Sequence, residues 1–508
     1  MRGAGDEMEV PMMNTTPLSS ATLDALQHHN PELALPGYDR NKLKAGIAHI
    51  GVGNFHRVHQ AAYIDQCLHM PGHEEWAIVG IGLGDSEQAQ AKAAAFAEQD
   101  GLYTVTETGS DGSANARVIG AMIDYLHAPA DPEAVLERLS DPAIRIVTLT
   151  ITEGGYNINE ANGEFRLTAP DVAAELAGGT PRTAFAYIVE SLRRRRASGV
   201  GGYTVVSCDN LRHNGDTARL AVLSYAQAVD DELADWIAAE VTFPNSMVDR
   251  IAPGIPAEQA EALNSASGVN DQLPALAEPY TQWVIEDRFS AGRPDLAAAG
   301  VELLDDVTQH EAIKGRMLNA SHMMLAYPGL LLGYRTVPEA MADEELHTLL
   351  HNFMEHDAMP LLDVPEGVVL DDYKNSVLER FNNPAIADQL TRVAHDGAAK
   401  IPVFYTATVK AMLSRGFNCR RVAFLLACFR LYLNGLDARG NRYEVNEPRL
   451  SNADWSLVRN GPPSAILDIS AFRGLKLTQH ARMVTTYNSV WMAITRSGVR
   501  ATLQSLVK

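Results

Sequence analysis

Nine consecutive positions, Lys314 to His322 (KGRMLNASH), bring together a potential base, an amide and an imidazole. On an α-helix, offsets of five and eight place Asn319 about 140° and His322 about 80° from Lys314, so all three share one half of the wheel and can face one cavity. A lysine in water titrates near 10.4, too high for a base at neutral pH. One that is desolvated beside a cationic group falls toward about 7–8 and can accept the proton of an alcohol. Taken singly, each residue has a plainer reading, a solvated lysine or a capping asparagine among them. The spacing of all three is what points to chemistry.

A second polar group, Ser207-Cys208-Asp209-Asn210, follows a strand predicted over Tyr203–Val206. Open α/β sheets hold ligands at that edge, and the Asn210 amide can donate to an oxygen becoming an alkoxide. Asn and Asp are equally common in turns, so from the cluster alone the two readings stay level. Further upstream, a strand over Ile47–Ile50 enters Gly51-Val52-Gly53-Asn54-Phe55-His56-Arg57 and then a helix over Gln60–Leu68. Spaced glycines between a strand and a helix let the backbone approach a pyrophosphate, whose charge meets the helix N-terminus. The usual third glycine is absent, Arg57 standing two residues after Phe55, and the motif by itself is as good a structural turn as a cofactor loop. Asp85 follows the next strand, Trp76–Ile81, where an acid accepts from an adenosine ribose and repels a 2′-phosphate; it favours NAD over NADP. The Gly51-to-Asp85 gap exceeds the common one of about 20 residues, so Pro71-Gly72-His73 must lie in an extended connection.

Two patterns imitate zinc sites. Gly72-His73-Glu74 lacks an accompanying cysteine cluster, and His347/His351 read HTLLH without the glutamate of HExxH, so no resident metal is expected. Arg193-Arg194-Arg195-Arg196 ends a helix that Thr180 is expected to cap and Pro181 to open. Cations at a helix C-terminus answer its dipole, a better reading than a phosphate grip.

The elements that must position these residues alternate between strand and helix up to about residue 295. After the Ile47–Ile50 and Trp76–Ile81 strands come a helix over Glu87–Glu98 and strands over Leu102–Glu107, Val118–Tyr125, Ile144–Ile151 and Tyr203–Val206. Such alternation implies an α/β fold with a parallel sheet. Beyond Arg293-Pro294, long 3.6-period segments dominate, Glu311–Ala326, Pro338–Met354 and Val422–Leu433 among them. The expected domains are 1–295, Rossmann-type with an N-terminal leader and a short helix over Ser20–His28, and 296–508, mostly α-helical.

At 508 residues the chain is too long for a single core. With 46% apolar and 21% charged residues it is not a disordered chain. Its 42 basic and 63 acidic residues leave −21, which repels nucleic acid and anionic lipid. Cys67, Cys208, Cys419 and Cys428 form no CxxC pair and read as reduced thiols. Met1–Pro11 carries Asp6, Glu7 and Glu9 with no apolar core and is not read as a signal peptide. The most apolar run, Val422–Cys428, is closed by Arg430, well short of a membrane span. A cytoplasmic location is expected.

Six motifs, in order, carry a resemblance: Gly51-Val-Gly-Asn-Phe-His-Arg57, Thr150-Ile-Thr-Glu-Gly-Gly-Tyr156, Ser207-Cys-Asp-Asn210, Phe243-Pro-Asn-Ser-Met-Val-Asp-Arg250, Glu278-Pro-Tyr-Thr-Gln-Trp-Val-Ile-Glu286 and Lys314 spaced to His322. From about residue 40 to the C-terminus the chain resembles the polyol-specific long-chain dehydrogenase/reductase family, its mannitol-oxidising branch in particular. The resemblance implies an expanded Rossmann domain joined to a helical one. It also implies a zinc-independent, NAD-linked enzyme that interconverts a sugar alcohol, oxidised at C2, with its ketose. Lys314 matches the family's general base, Asn210 and Asn319 its two oxyanion-stabilising amides, and His322 the histidine that positions substrate and lysine. Asp249, Arg392, His395 and Lys400 match polyol-contacting positions. Gly51, Gly53, Asn54, Phe55, Arg57 and Asp85 fall in the cofactor-binding segment, and Glu153 lies where a part in proton passage is possible. The resemblance leans toward a monomer. A hexuronate reductase on the same fold, using Arg392 or Lys400 against a substrate carboxylate, and an NAD-binding sensor without turnover are the alternatives.

Overall fold

The structure, a computed structural model, describes residues 15–159 and 162–508. Residues 1–14 of the expected leader lie outside the described residues. Two compact units form, one running to Val307 apart from a short excursion at Gly109–Gly112, the other holding that excursion and Thr308–Lys508. The change of unit falls at Val307/Thr308 rather than at 295/296. The reason is a late strand, Glu302–Leu304, which pairs in parallel with Gln282–Glu286 and keeps the chain in the first unit past the shift in composition.

The first unit is built on five parallel strands, β1 (Ala45–Ile50), β2 (Ala77–Gly82), β3 (Met122–His127), β4 (Ile146–Leu149) and β5 (Thr204–Ser207), in the order β5-β4-β1-β2-β3. Every residue of β1, β4 and β5 is buried, as expected when helices cover both faces of a parallel sheet. Val79, Leu149 and Val205 pack on one face with Phe185 and Tyr225; Ile47, Ile78, Ile146 and Val206 pack on the other with Tyr63 and Trp283. Chain reversal at the β1 exit is made by α1 (Asn54–Val58) and α2 (Gln60–Leu68), and at the β2 exit by α3 (Glu87–Glu98).

Two sequence expectations change. The strand expected over Val118–Tyr125 is two strands, Ala114–Ile119, antiparallel to Tyr103–Thr108, and β3, which joins the central sheet. Between them Gly120 lies so close to Pro36 that a Cβ would sit 2.6 Å from its ring, and the chain turns there from one sheet to the other. The arginine-ended helix is α4 (Ala184–Ala197), capped by Thr183 rather than Thr180: Thr183 Oγ1 accepts from Ala186 N–H at 3.3 Å. The Glu175 carboxylate holds that start by accepting from Arg182 and Thr183 N–H, both at 2.6 Å. At its other end Arg195 donates to the Gly201 and Asp141 carbonyls, and Arg194 and Arg196 pair with Glu133 and Glu232.

The second unit is helical. Its centre is α11 (Arg420–Tyr432), apolar nearly all round and therefore buried, with Val422 through Phe429 all in the core. Around it pack α7 (Ala320–Leu332) and α12 (Ala481–Val507). Three further helices carry residues of interest: α8 (Leu370–Phe381), α9 (Leu390–Ala394) and α10 (Gly397–Arg415). Among the described residues, no helix is long and apolar enough to cross a membrane.

Candidate functional site

In the second unit, Lys314, Asn319 and His322 do not share one α-helix. Between α6 (Thr308–Ile313) and α7 the chain makes a π-helical turn over Lys314–Asn319, where Ala320 N–H donates five residues back to the Gly315 carbonyl. Such turns are rare, and many occur at functional sites. The wider winding narrows the 140° offset between Lys314 and Asn319 expected of an α-helix, because each turn now spans more residues. Both side chains are buried, each 9% exposed. Asn319 Nδ2 is buried and has no acceptor among the described residues.

Three neighbours hold this turn. Tyr405 of α10 donates its hydroxyl to the Ala320 carbonyl at 2.7 Å, and Arg316 donates to Leu361 O at 2.7 Å. Phe381, the last residue of α8, stacks on the His322 ring with centroids 4.0 Å apart and planes 7° from parallel. Neither Tyr405 nor Phe381 carries a sequence signal, since each meets its partner across dozens of residues.

Arg392, His395 and Lys400 fall in one stretch, from α9 through a two-residue link into α10. The Arg392 guanidinium is held by Asp388 in a two-point pair, its Nε 2.6 Å from Asp388 Oδ1. His395 is half-buried, and Lys400 Nζ donates to Val393 O at 3.4 Å. The link turns through Asp396, at φ 53°, and the Glu447 carboxylate caps α10 by accepting from Gly397 and Ala398 N–H, both at 2.9 Å.

Burial pushes the Glu447 carboxyl from its ordinary 4.5 up to about 7 against those two donors; Asp396 adds to the rise and Lys400 opposes it. Between these values the folded protein keeps a proton that the unfolded chain has lost, so this group's contribution to stability falls as pH rises through the window. Glu447→Gln, which cannot titrate, is expected to flatten the decline in melting temperature between about pH 4.5 and 7, a decline worth up to about 1.4 kcal/mol per pH unit in the native protein. Equal slopes in calorimetric scans of the two proteins would refute this.

In the first unit, the β1 exit is the glycine turn. Gly51 adopts φ 98°, and a Cβ there would lie 2.2 Å from the Thr150 carbonyl oxygen, so glycine is obligatory. A Cβ on Gly53 would meet nothing nearer than Gly51 O at 3.8 Å. Protein packing therefore does not demand that second glycine, and its openness suits a phosphate lying against the backbone. The side chains of Asn54 and Arg57 are turned into the protein: Arg57 Nη2 donates to Asn54 Oδ1 at 2.6 Å, the same guanidinium donates to Leu273 O, and its carbon lies 5.4 Å from the Tyr103 ring centre. What the turn can offer a ligand at Asn54 and Phe55 is the backbone, for Phe55 stacks on His59 at 4.8 Å. Asp85 is exposed where the chain leaves β2. Lys92 of α3, which sequence reasoning missed, donates to the Val52 carbonyl at 2.9 Å and sets a cation beside the turn; burial lowers its pKa, and Arg57 adds to the lowering.

Beyond β5, Asn210 is exposed and Asp209 is buried. Asp249 is buried at the end of the strand Ser246–Asp249, opposite Gln282. Asn214, the first residue of α5 (Asn214–Val229), joins the two places, its Nδ2 donating to Asp209 O at 3.1 Å and to Ser246 O at 2.9 Å. Glu153 is exposed on the short helix Thr152–Gly155. His73 of the zinc-like motif accepts from Asp295 N–H at 3.1 Å, and among the described residues no three His, Cys, Asp or Glu side chains gather as a metal site.

A family model described as the mannitol dehydrogenase Rossmann domain matches residues 45–298, and one described as the mannitol dehydrogenase C-terminal domain matches 306–495. The chain is 47% identical over 484 residues to a polyol:NADP oxidoreductase of Gluconobacter oxydans, covering 95% of this chain and 99% of that one. A solved structure of a D-sorbitol dehydrogenase in substrate-free form is 46% identical, with a TM-score of 0.87 over 96% of this chain and all of that one. A Pseudomonas fluorescens mannitol 2-dehydrogenase, solved with NAD and D-mannitol, is 39% identical, with a TM-score of 0.89 over 97% of this chain and 99% of that one.

Proposed function

The chain belongs to the mannitol dehydrogenase family, and from that premise we propose that it oxidises a mannitol-type sugar alcohol at C2 to the ketose, fructose in the case of mannitol, with NAD, and runs the reduction in reverse. The observation that carries this reading is the Lys314–Asn319 turn, a buried lysine with a buried amide donor that has no acceptor among the described residues. A donor withheld from water and unpaired costs about 1–3 kcal/mol, a cost that a substrate oxygen removes. Lys314 takes the carbinol proton, and Asn319 and Asn210 donate to the alkoxide as it develops. His322, held flat by Phe381, orients substrate and lysine. Asp249, His395 and Lys400 are the proposed contacts for the remaining hydroxyls, each of which both donates and accepts.

The Gly51–Gly53 turn and the backbone of Asn54 and Phe55 would hold the dinucleotide, with Asp85 at its ribose. That cofactor, when bound, supplies the hydride acceptor. The Gluconobacter relative is named for NADP, whereas the exposed acid at Asp85 supports NAD. Asp388 takes Nε and Nη2 of Arg392, so its charge is already balanced and a uronate carboxylate would meet only the remaining donors of a paired guanidinium, which supports a polyol over a hexuronate. A net charge of −21 supports a protein without nucleic-acid partners, and the reading includes a cytoplasmic monomer that needs no metal.

The test is formation of NADH and NADPH by the purified protein with mannitol, arabinitol and sorbitol, and their oxidation with fructose and fructuronate, each with and without a chelator. Chelator-insensitive NADH formation from a mannitol-type polyol is expected. Activity with fructuronate alone would move the protein to uronate reduction, and dinucleotide binding without any turnover would make it a sensor.

A further inference from the structure

The turn after β4 is strained. Thr152, a β-branched residue, sits at φ 61°, in the left-handed region such residues avoid. Conformations of this kind are costly and persist only where their surroundings over-determine them. Here the surroundings are one carboxylate. Asp209, the residue after Cys208 beyond β5, accepts from Ile151 N–H at 3.0 Å, from Thr152 N–H at 2.8 Å and from the Tyr156 hydroxyl at 2.8 Å. Tyr156 Oη in turn lies 2.5 Å from Ser207 Oγ, on the last residue of β5.

The same residue reaches further through its backbone and neighbours. Asp209 O accepts from Asn214 Nδ2, which also reaches Ser246 O, and Ser246 Oγ donates to Ser207 O at 2.7 Å. On the other side, Thr150 Oγ1 donates to Gly51 O at 2.7 Å. Asp209 thus sits where the ends of β1, β4 and β5 meet, the edge at which open α/β sheets bind ligands. It has no free face for substrate, being 8% exposed and occupied by three donors. Its neighbours in sequence and space, Asn210 and Glu153, are both exposed.

We propose that Asp209 is a positioning residue for the reaction: by clamping the strained Ile151–Tyr156 turn to the end of β5, it fixes the placement of Glu153 and Asn210. The proposal rests on the functional reading above, in which Asn210 donates to the reacting oxygen. Burial pushes the Asp209 carboxyl up to about 6 although its three donors oppose the rise, which fits a carboxylate kept out of water for its geometry. A misplacement of about 1 Å in a reacting constellation can cost 10²-fold in rate, so the clamp has room to matter without touching substrate.

Asp209→Asn preserves size but sets an NH2 group against donors that need an acceptor. In the full-length protein it is expected to lower kcat for polyol oxidation by about 10–10²-fold, with NADH affinity, read by fluorescence titration, within about twofold of native. Hydrogen exchange at the Ile151 and Thr152 amides should quicken at least about tenfold, reporting the opened turn. Tyr156→Phe, which removes one donor and leaves the backbone pair, should give a smaller change in the same two readouts and stands in if Asp209→Asn does not fold. Unchanged exchange would overturn the clamp, and faster exchange with unaltered kcat would overturn the positioning role. Should the native protein oxidise no polyol, the functional reading falls while the exchange measurement still decides the clamp.

Discussion

Replacing Lys314 with alanine is expected to lower kcat for polyol oxidation by about 10²–10⁴-fold, the range that a positioned general base contributes, with NADH binding within about twofold of native. The lysine is 9% exposed on a turn braced by Tyr405 and Arg316, so truncation removes the proton acceptor from a scaffold that stays in place. Lys314→Arg separates two roles that alanine confounds. Arginine keeps the positive charge but does not deprotonate in proteins, so it should be as inactive as alanine if the role is that of a base. It should be largely active if only the charge matters. Steady-state rates with a mannitol-type polyol, beside fluorescence titration with NADH, decide the matter. Turnover within about threefold of native in the alanine variant would remove Lys314 from the mechanism.

Gly51→Ala and Gly53→Ala are both expected to lose cofactor binding, the first together with stability and the second without it. At Gly51, the left-handed backbone adds about 1–3 kcal/mol of strain, and forcing a Cβ to within 2.2 Å of the Thr150 carbonyl adds about 1–3 kcal/mol more. A loss of about 2–6 kcal/mol in denaturant unfolding follows, with cofactor binding lost alongside it. At Gly53, φ is −104° and the nearest heavy atom is 3.8 Å from a Cβ, so stability should be unchanged. There the methyl group fills the space where the backbone would meet a pyrophosphate, and the dinucleotide KM should rise roughly tenfold or more. Native-like cofactor binding by Gly53→Ala would show that this turn holds no phosphate.

The alternation of apolar runs and helical stretches was enough to place β1, β2, β4 and β5 and to give α2 and α3 their observed bounds, because both faces of a parallel sheet are buried and the strands read as continuous apolar segments. The candidate site residues come from the sequence too, since Lys314, Asn319, His322 and Asn210 stand out by type and spacing. Local patterns do not record how segments meet. The Val118–Tyr125 run reads as one strand because its hydrophobicity is continuous; in the fold it divides between two sheets around Gly120, which packs against Pro36. Thr180 has the type and the following proline of a cap, but Glu175, through its hydrogen bonds to the chain at 182 and 183, holds the helix start at Thr183.

By itself, then, the sequence determined the parallel α/β unit, the helical unit after it, and which side chains are able to do chemistry, because these follow from periodicity and residue type along the chain. The tertiary structure decided their geometry. A turn with bonds five residues back has the same residues as an α-helical turn, and its bracing by Tyr405 and Arg316 comes from elsewhere in the chain. Likewise, the pairing of Arg392 with Asp388, the stacking of Phe381 on His322 and the three donors that converge on Asp209 are contacts of the folded state. Each is an energy between groups that only packing brings within hydrogen-bond or van der Waals distance.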